Sequence, residues 1–128
     1  MPVNFKDIML EKNFDSATAY CQSKLALIMF TLDLAERLKE DNITVNTLHP
    51  GTYLDTNMVR ASGITPLGKP ESGADAEVYL ATSSRLENVT GKYFNVKQEA
   101  KAHAQAYDQQ ARKRLWDLSM QLTGLAKA

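Results

Sequence analysis

The sequence predicts an α/β fold built on parallel strands. Three observations carry that prediction. Apolar residues recur at three- and four-residue spacing in separate stretches, the mark of amphipathic helices. Short runs rich in β-branched and aromatic residues lie between those stretches and read as strands. The resulting order is helix, strand, long loop, helix, strand, helix, and that alternation joins parallel strands through helices. Two strands alone make a marginal sheet, so the chain reads as part of a larger α/β layer.

The elements follow in order. Residues 1–14 read as an irregular lead-in with a turn at Phe5–Met9. The first long helix is expected over residues 16–41, capped by Asp15 or Ser16, whose short side chains accept from free backbone N–H groups. Ala17, Cys21, Leu25, Ile28, Leu32, Ala35 and Leu38 give its buried stripe, and Tyr20, Leu27, Met29, Phe30 and Leu34 widen it. Asp33 and Arg37 form an i,i+4 pair on its wet side, and Asn42 suits a left-handed helix end. Ile43–His49 reads as a strand stopped by Pro50-Gly51. Residues 51–69 have no period and are punctuated by Gly51, Gly63, Pro66, Gly68 and Pro70; a loop this long is usually functional or mobile. Pro70 opens a second helix, with Ala74, Val78 and Ala81 as its buried side. A second strand is expected within Val89–Val96, a loop over residues 97–103, and a last helix from about Ala104 to Leu122. Tyr107, Ala111, Leu115, Leu118 and Leu122 give that helix its stripe, and Gly124 its end.

Composition narrows the function classes. The 128 residues are one domain's worth of sequence, and 44% hydrophobic with 23% charged is ordinary for a globular protein. Lys plus Arg and Asp plus Glu are 15 each, so general binding to nucleic acid or anionic membranes lacks its electrostatic driver. A single cysteine, Cys21, excludes an internal disulfide framework. No apolar run is long enough to span a membrane, and Met1–Asp7 has no signal-peptide core, so a soluble, cytoplasmic chain is expected. The Asn-x-Thr tripeptides at Asn42 and Asn88 then lack a secretory context.

Tyr20-Cys21-Gln22-Ser23-Lys24 is the leading chemical candidate. Residues four apart on a helix share a face, and an ammonium beside a phenol favours the phenolate. A tyrosine so placed can exchange a proton with an alcohol or carbonyl oxygen. The spacing alone favours the bland reading, a core-edge aromatic beside a solvated lysine. A second such spacing, Tyr93 and Lys97, begins in a strand pattern, where four residues span about 13 Å and the groups do not adjoin. Other leads are bland. His49, His103 and Cys21 lack metal-ligand spacing; His49 reads as strand-end packing and Cys21 as an apolar filler. Arg112-Lys113-Arg114 reads as a solvated helix face, and Trp116 as an anchor for the last helix.

Tyr-x-x-x-Lys opening an amphipathic helix, then a strand, then Pro50-Gly51, resembles the short-chain dehydrogenase/reductase family. Ala19–Ala26, Val45–Gly51, Val89–Phe94, Arg114-Leu115-Trp116 and Leu122–Leu125 resemble its retinol-dehydrogenase-like branch, in order along nearly the whole chain. The resemblance implies an NAD- or NADP-dependent oxidoreductase that interconverts a hydrophobic alcohol and a carbonyl compound. It implies Tyr20 as general acid/base and Lys24 as its partner on the nicotinamide ribose. It places Pro50 and Gly51 along the nicotinamide, backbone groups of Gly51 and Thr52 near the carboxamide, and Thr52 or Thr56 as the cofactor-contacting threonine. Residues 51–70 become the substrate-loop region.

The family's glycine-rich turn and its catalytic Ser and Asn have no counterpart here. The expectation is therefore the C-terminal half of a Rossmann-like, doubly wound parallel sheet, of about three helices and two strands. Residues 1–128 then form a single partial domain, with the N-terminal dinucleotide-binding half absent and the isolated chain inactive. Uncovered apolar surface in such a piece implies a homo-oligomer, a dimer or tetramer with exchanged elements possible in principle. The alternative is an interaction module derived from the same fold, without chemistry.

Overall fold

A computed structural model describes residues 1–126. The first helix, α1, runs Ser16–Arg37 and is followed by a 3₁₀ turn, Lys39–Asp41. The strand β1 is Thr47–His49, and a short helix α2, Asn57–Ala61, lies in the loop after it. Helix α3 is Pro70–Thr82, strands β2 and β3 are Tyr93–Asn95 and Gln98–Ala100, and helix α4 is Gln109–Leu122. The sheet order is β1-β2-β3, with β1 and β2 parallel and β2 and β3 antiparallel. The α/β class therefore holds, with four α-helices and three strands in a mixed sheet among the described residues instead of three and two.

Local chemistry explains the boundaries. Asp15 caps α1 by accepting from the Thr18 backbone N–H at 2.8 Å. Asn42 adopts the left-handed conformation (φ 55°) that ends the following turn. Asp108 caps α4 by accepting from Gln110 and Ala111, so the helix starts at Gln109 and residues 104–107 form a separate 3₁₀ turn. Strand β1 is shorter than Ile43–His49, and side chains share the pairing with the backbone at its start. Val45 N–H donates to the Thr90 hydroxyl, and the Asn46 amide donates to the Val89 carbonyl while accepting from Lys92 N–H.

β3 stands where a loop was expected. Its sequence, Gln-Glu-Ala, carries no strand pattern; a tight turn at Val96-Lys97 folds it back on β2, with Asn95 opposite Gln98.

The core lies where α1, α4 and the 104–107 turn meet. Val3, Leu25, Met29, Leu32, Ala106 and Leu115 form one buried cluster. The lead-in is tied to it by two glutamine amides. Gln105 accepts from Val3 N–H at 2.6 Å and donates to the Val3 carbonyl, and Gln22 accepts from Asn4 N–H at 2.8 Å. Trp116 anchors α4 as predicted: it stacks on Phe30, centroids 5.4 Å apart, with the Arg37 guanidinium over its ring.

Several expected faces are corrected. Cys21 is exposed, off the core stripe. Asp33 is buried and holds Arg37 at 2.7 Å, so that pair is not on the wet side alone. Arg112 is buried, reaching the Ala106 carbonyl and the Glu36 carboxylate across to α1, while Lys113 and Arg114 stay outside. On α3, Gly73 and Ala76 are buried and Val78 is 60% exposed, the reverse of the predicted side.

Met29 has no exposed surface, so truncation leaves a void that the packed neighbours fill only in part. Met29→Ala is expected to cost about 2–5 kcal/mol in urea unfolding. Leu27→Ala, at a half-exposed site on the same helix, is expected to cost under about 1 kcal/mol.

Candidate active site

α1 presents its N-terminal half to solvent on one side. The Lys24 ammonium lies 5.4 Å from the centre of the Tyr20 ring, so the two groups share one helical turn as the spacing requires. Tyr20 is 50% exposed. Neither side chain is consumed by the core, whose α1 members, Leu25, Met29 and Leu32, lie on another side of the helix.

The direction of that exposed face follows from helical geometry. Eleven residues make just over three full turns, so Tyr20 lies nearly in line with Thr31 and Lys24 with Ala35, about 16 Å further along. Thr31 and Ala35 are buried, and a Cβ on Gly91 would sit 3.5 Å from the Ala35 methyl. Gly91 N–H donates to the Val45 carbonyl at 2.8 Å just before β1. The line of α1 that carries Tyr20 and Lys24 is thus the line that, nearer its end, packs against the entrance to the sheet.

The second Tyr-x-x-x-Lys behaves differently. Lys97 pairs with Asp75 and lies over the Tyr79 ring, away from Tyr93. Burial, with a smaller contribution from Tyr107, pushes the Tyr93 phenol above its ordinary pKa. That shift disfavours proton exchange at neutral pH.

Pro50 and Gly51 turn the chain at the carboxyl end of β1. Gly51 has φ 147°, a conformation that L side chains rarely adopt. The Thr52 hydroxyl lies 3.1 Å from His49 Nε2, and the His49 carbonyl accepts from Val96 N–H at 2.8 Å. The His49 carbonyl thus ends the β1–β2 ladder, and its side chain meets Thr52 across the corner, a contact that strand-end packing did not anticipate and whose visible signal was a polar i,i+3 pair straddling Pro-Gly. Thr56 caps α2, its hydroxyl accepting from Val59 N–H. The structure thus brings Tyr20 and Lys24 together on α1, and Pro50, Gly51 and Thr52 together after β1. Thr56 stands apart at the start of α2. The loop, residues 51–70, contains that helix and closes on itself through a bridge between Leu54 and Gly68. Among the described residues no cluster of three or more His, Cys, Asp or Glu could hold a metal ion.

Asp15 sets the start of the helix that carries Tyr20. The hydrogen bonds from Thr18 hold its carboxyl below the ordinary value. A depressed folded-state pKa stabilises above the unfolded value and is lost as pH falls through the folded one. The first turn of α1 is therefore expected to loosen below about pH 4, read by NMR shifts at Thr18 and Tyr20. Asp15→Asn, which still caps, should remove that acid dependence, whereas Asp15→Ala should leave the turn loose at every pH.

Residues 4–66, which include α1, β1, the corner and most of the loop, match the sequence model of a family described as short chain dehydrogenase. Retinol dehydrogenase 13 of Mus musculus is 38% identical over 142 residues, which takes in 98% of this chain and 42% of that protein. Retinol dehydrogenase 14 of Homo sapiens is 38% identical over 138 residues, taking in 98% of this chain and 41% of that protein. The crystal structure of an uncharacterized protein from Mycobacterium Paratuberculosis matches with a TM-score of 0.69 at 26% identity, over 95% of this chain and 45% of that one. The chain thus spans about two-fifths of the length of the curated relatives it matches.

Proposed function

The chain belongs to the short-chain dehydrogenase/reductase family, on its retinol-dehydrogenase-like side, and from that premise we propose that its residues carry the proton-transfer part of an NAD- or NADP-dependent oxidoreductase that interconverts an alcohol and a carbonyl compound. The observation that supports this reading best is the open face of α1. The Lys24 ammonium stands 5.4 Å from the centre of the Tyr20 ring there, on the line of the helix that elsewhere meets the sheet. The last turns of α1 lie beside Gly91 at the amino ends of the strands, and Pro50-Gly51 turns at the carboxyl end of β1. In open α/β sheets ligands bind at that end.

The donor set suits the nicotinamide–ribose end of a dinucleotide. Lys24 offers an exposed ammonium and Tyr20 a phenol, both able to bond ribose hydroxyls. Gly51 and Thr52 offer backbone groups at a turn that carries no side chain at its first position. When bound, the nicotinamide supplies the hydride chemistry. Tyr20 gives its phenolic proton to the carbonyl oxygen as the alcohol forms, and takes it back in the opposite direction. Lys24 positions the ribose through its exposed ammonium. Thr52, and Thr56 if the end of α2 closes inward, contribute hydroxyls. The 51–70 loop covers the substrate; the relatives' names point to an apolar alcohol or aldehyde.

Chemistry then requires a glycine-rich strand–turn–helix to hold the pyrophosphate, a pattern absent from the 128 residues. We propose that they are inactive by themselves. A second reading, a subunit-pairing module, is favoured by the exposed apolar side chains Leu27 and Phe30 on α1.

One experiment separates the two. The 128-residue chain is assayed with NADH and NADPH against an apolar aldehyde, alone and with a glycine-rich half supplied as a separate polypeptide. No turnover is expected alone and turnover is expected with the added half, lowered about 10²–10⁴-fold by Tyr20→Phe. Full activity of the isolated chain would refute the split. No turnover in the mixture, together with no thermal shift where cofactor at 100 times its Kd should add about 2.7 kcal/mol, would favour the pairing module.

A further inference from the structure

The loop after the Pro50-Gly51 corner is closed by a socket that three glycines build. Leu54 sits between Gly51, Gly68 and Gly73. A Cβ placed on them would come within 2.9, 3.1 and 2.5 Å of its side chain, respectively. The three glycines come from three places: the corner, the end of the loop, and α3. The socket also touches the corner, since a Cβ on Gly73 would lie 3.6 Å from Pro50 Cβ. Only Gly51 of the three has a positive φ. Gly68 and Gly73 adopt backbone conformations open to any residue, so their backbones do not require glycine. Gly73 lies inside α3 and is buried, where glycine is unfavourable against alanine. What a side chain there would displace is Leu54.

Around this socket the loop is a self-contained unit with a narrow neck. Asp55 N–H donates to the Gly68 carbonyl at 2.8 Å, and Leu67 N–H donates to the Tyr53 carbonyl at 2.8 Å. Beyond the neck, Asp55 grips Arg60 with two hydrogen bonds of 2.6 and 2.7 Å, and Arg60 N–H donates to the Thr56 carbonyl inside α2. Internal contacts that are independent of the neck let the unit keep its shape if the neck opens.

We propose that Leu54 is a latch: seated in the Gly51–Gly68–Gly73 socket, it fixes the flap of residues 55–67 onto the Pro50-Gly51 corner, and its release lets the flap swing as one body. The proposal deepens the reading of the 51–70 loop as a substrate cover and rests on it for its functional meaning, though not for the latch itself. Leu54 is in this sense a positioning residue. It holds the cover over the corner through Pro50 and Gly51, without meeting substrate.

The test uses amide hydrogen exchange in the 128-residue chain with Leu54→Ala, Gly73→Ala and the double variant. The neck amides of Asp55 and Leu67 are expected to exchange about tenfold faster in each single variant. The Arg60 amide within the flap and the Leu32 amide in α1 should stay unchanged. Gly73→Ala in a helix interior ordinarily stabilises, so faster exchange at the neck is a reversal of the usual sign. In the Leu54→Ala background, where no leucine remains to expel, Gly73→Ala should cause no further increase. Leu67→Ala, at a side chain 72% exposed in the same loop, should leave the neck as it was. Unchanged neck exchange in the single variants, additive effects in the double variant, or equal acceleration at Arg60 and Leu32 would each overturn the latch. In the complemented enzyme, Leu54→Ala should raise KM for the aldehyde with kcat within about twofold. Equal loss of kcat would overturn the positioning role. Absence of turnover in every protein, the unaltered chain included, would count against the proposed function, and the exchange result would still decide the latch.

Discussion

Everything in the site depends on which way α1 is rotated, and that rotation is fixed by Met29. Its side chain is sealed among Leu25, Leu32, Leu115, Ala106 and Val3, so one side of the helix cannot turn away from α4. Two polar contacts hold the same orientation from its flanks. Arg112 crosses from α4 to the Glu36 carboxylate, and Arg37 lies over Trp116 while bonded to Asp33. With that side committed, helical geometry leaves no freedom at positions 20 and 24. They fall on the line that ends at Thr31 and Ala35.

The corner after β1 is fixed by a different set of contacts, and one of them is strained. Val96 has φ 58°, and a β-branched residue at positive φ is a genuine outlier. The turn persists because its N–H is committed to the His49 carbonyl and the neighbouring Lys97 is held by Asp75 on α3. Strain of this sort survives only where surrounding structure over-determines it. Here it adds a bond from the β2–β3 turn to the residue that precedes Pro50. The corner is therefore gripped from two sides: β2 and its turn through the ladder that ends in the His49–Val96 bond, and α3 through Gly73 and Leu54.

Much of this was legible in the residues. Asp15, Asn42 and Pro70 mark boundaries that the structure keeps, because capping and turn chemistry are local and act through one side chain each. Tyr20 and Lys24 adjoin as their spacing requires, while Tyr93 and Lys97 do not pair, so the same motif acquires meaning only from the element that carries it. What sequence missed are features with no apolar signal. α3 turns its glycine inward because Leu54 needs the room, whereas hydropathy assigned Ala74, Val78 and Ala81 to the core. Arg112 is hidden in a run of three cations, since burial of one depends on Glu36, far away in sequence. β3 is a polar strand made by its turn, and Ile43–Asn46 stays outside the strand, with hydroxyl and amide groups sharing the pairing with the backbone at Val45 and Asn46.

A division of labour follows from these placements. Over the first turns of α1, the side that packs on α4 and the side that carries the phenol and ammonium are different lines of one helix. Changes at distant, non-touching sites tend to be additive. Packing on the Met29 side therefore sets how firmly α1 is held, and the chemistry of the Tyr20 side can vary without cost to that packing. The Pro50-Gly51 corner lacks such insulation. Its glycine, the leucine of the loop and the glycine of α3 share one volume, so a change in any of them is felt by the others. The phenol and ammonium stand on an element whose support lies elsewhere, whereas the corner and its loop are built as a single mechanical unit.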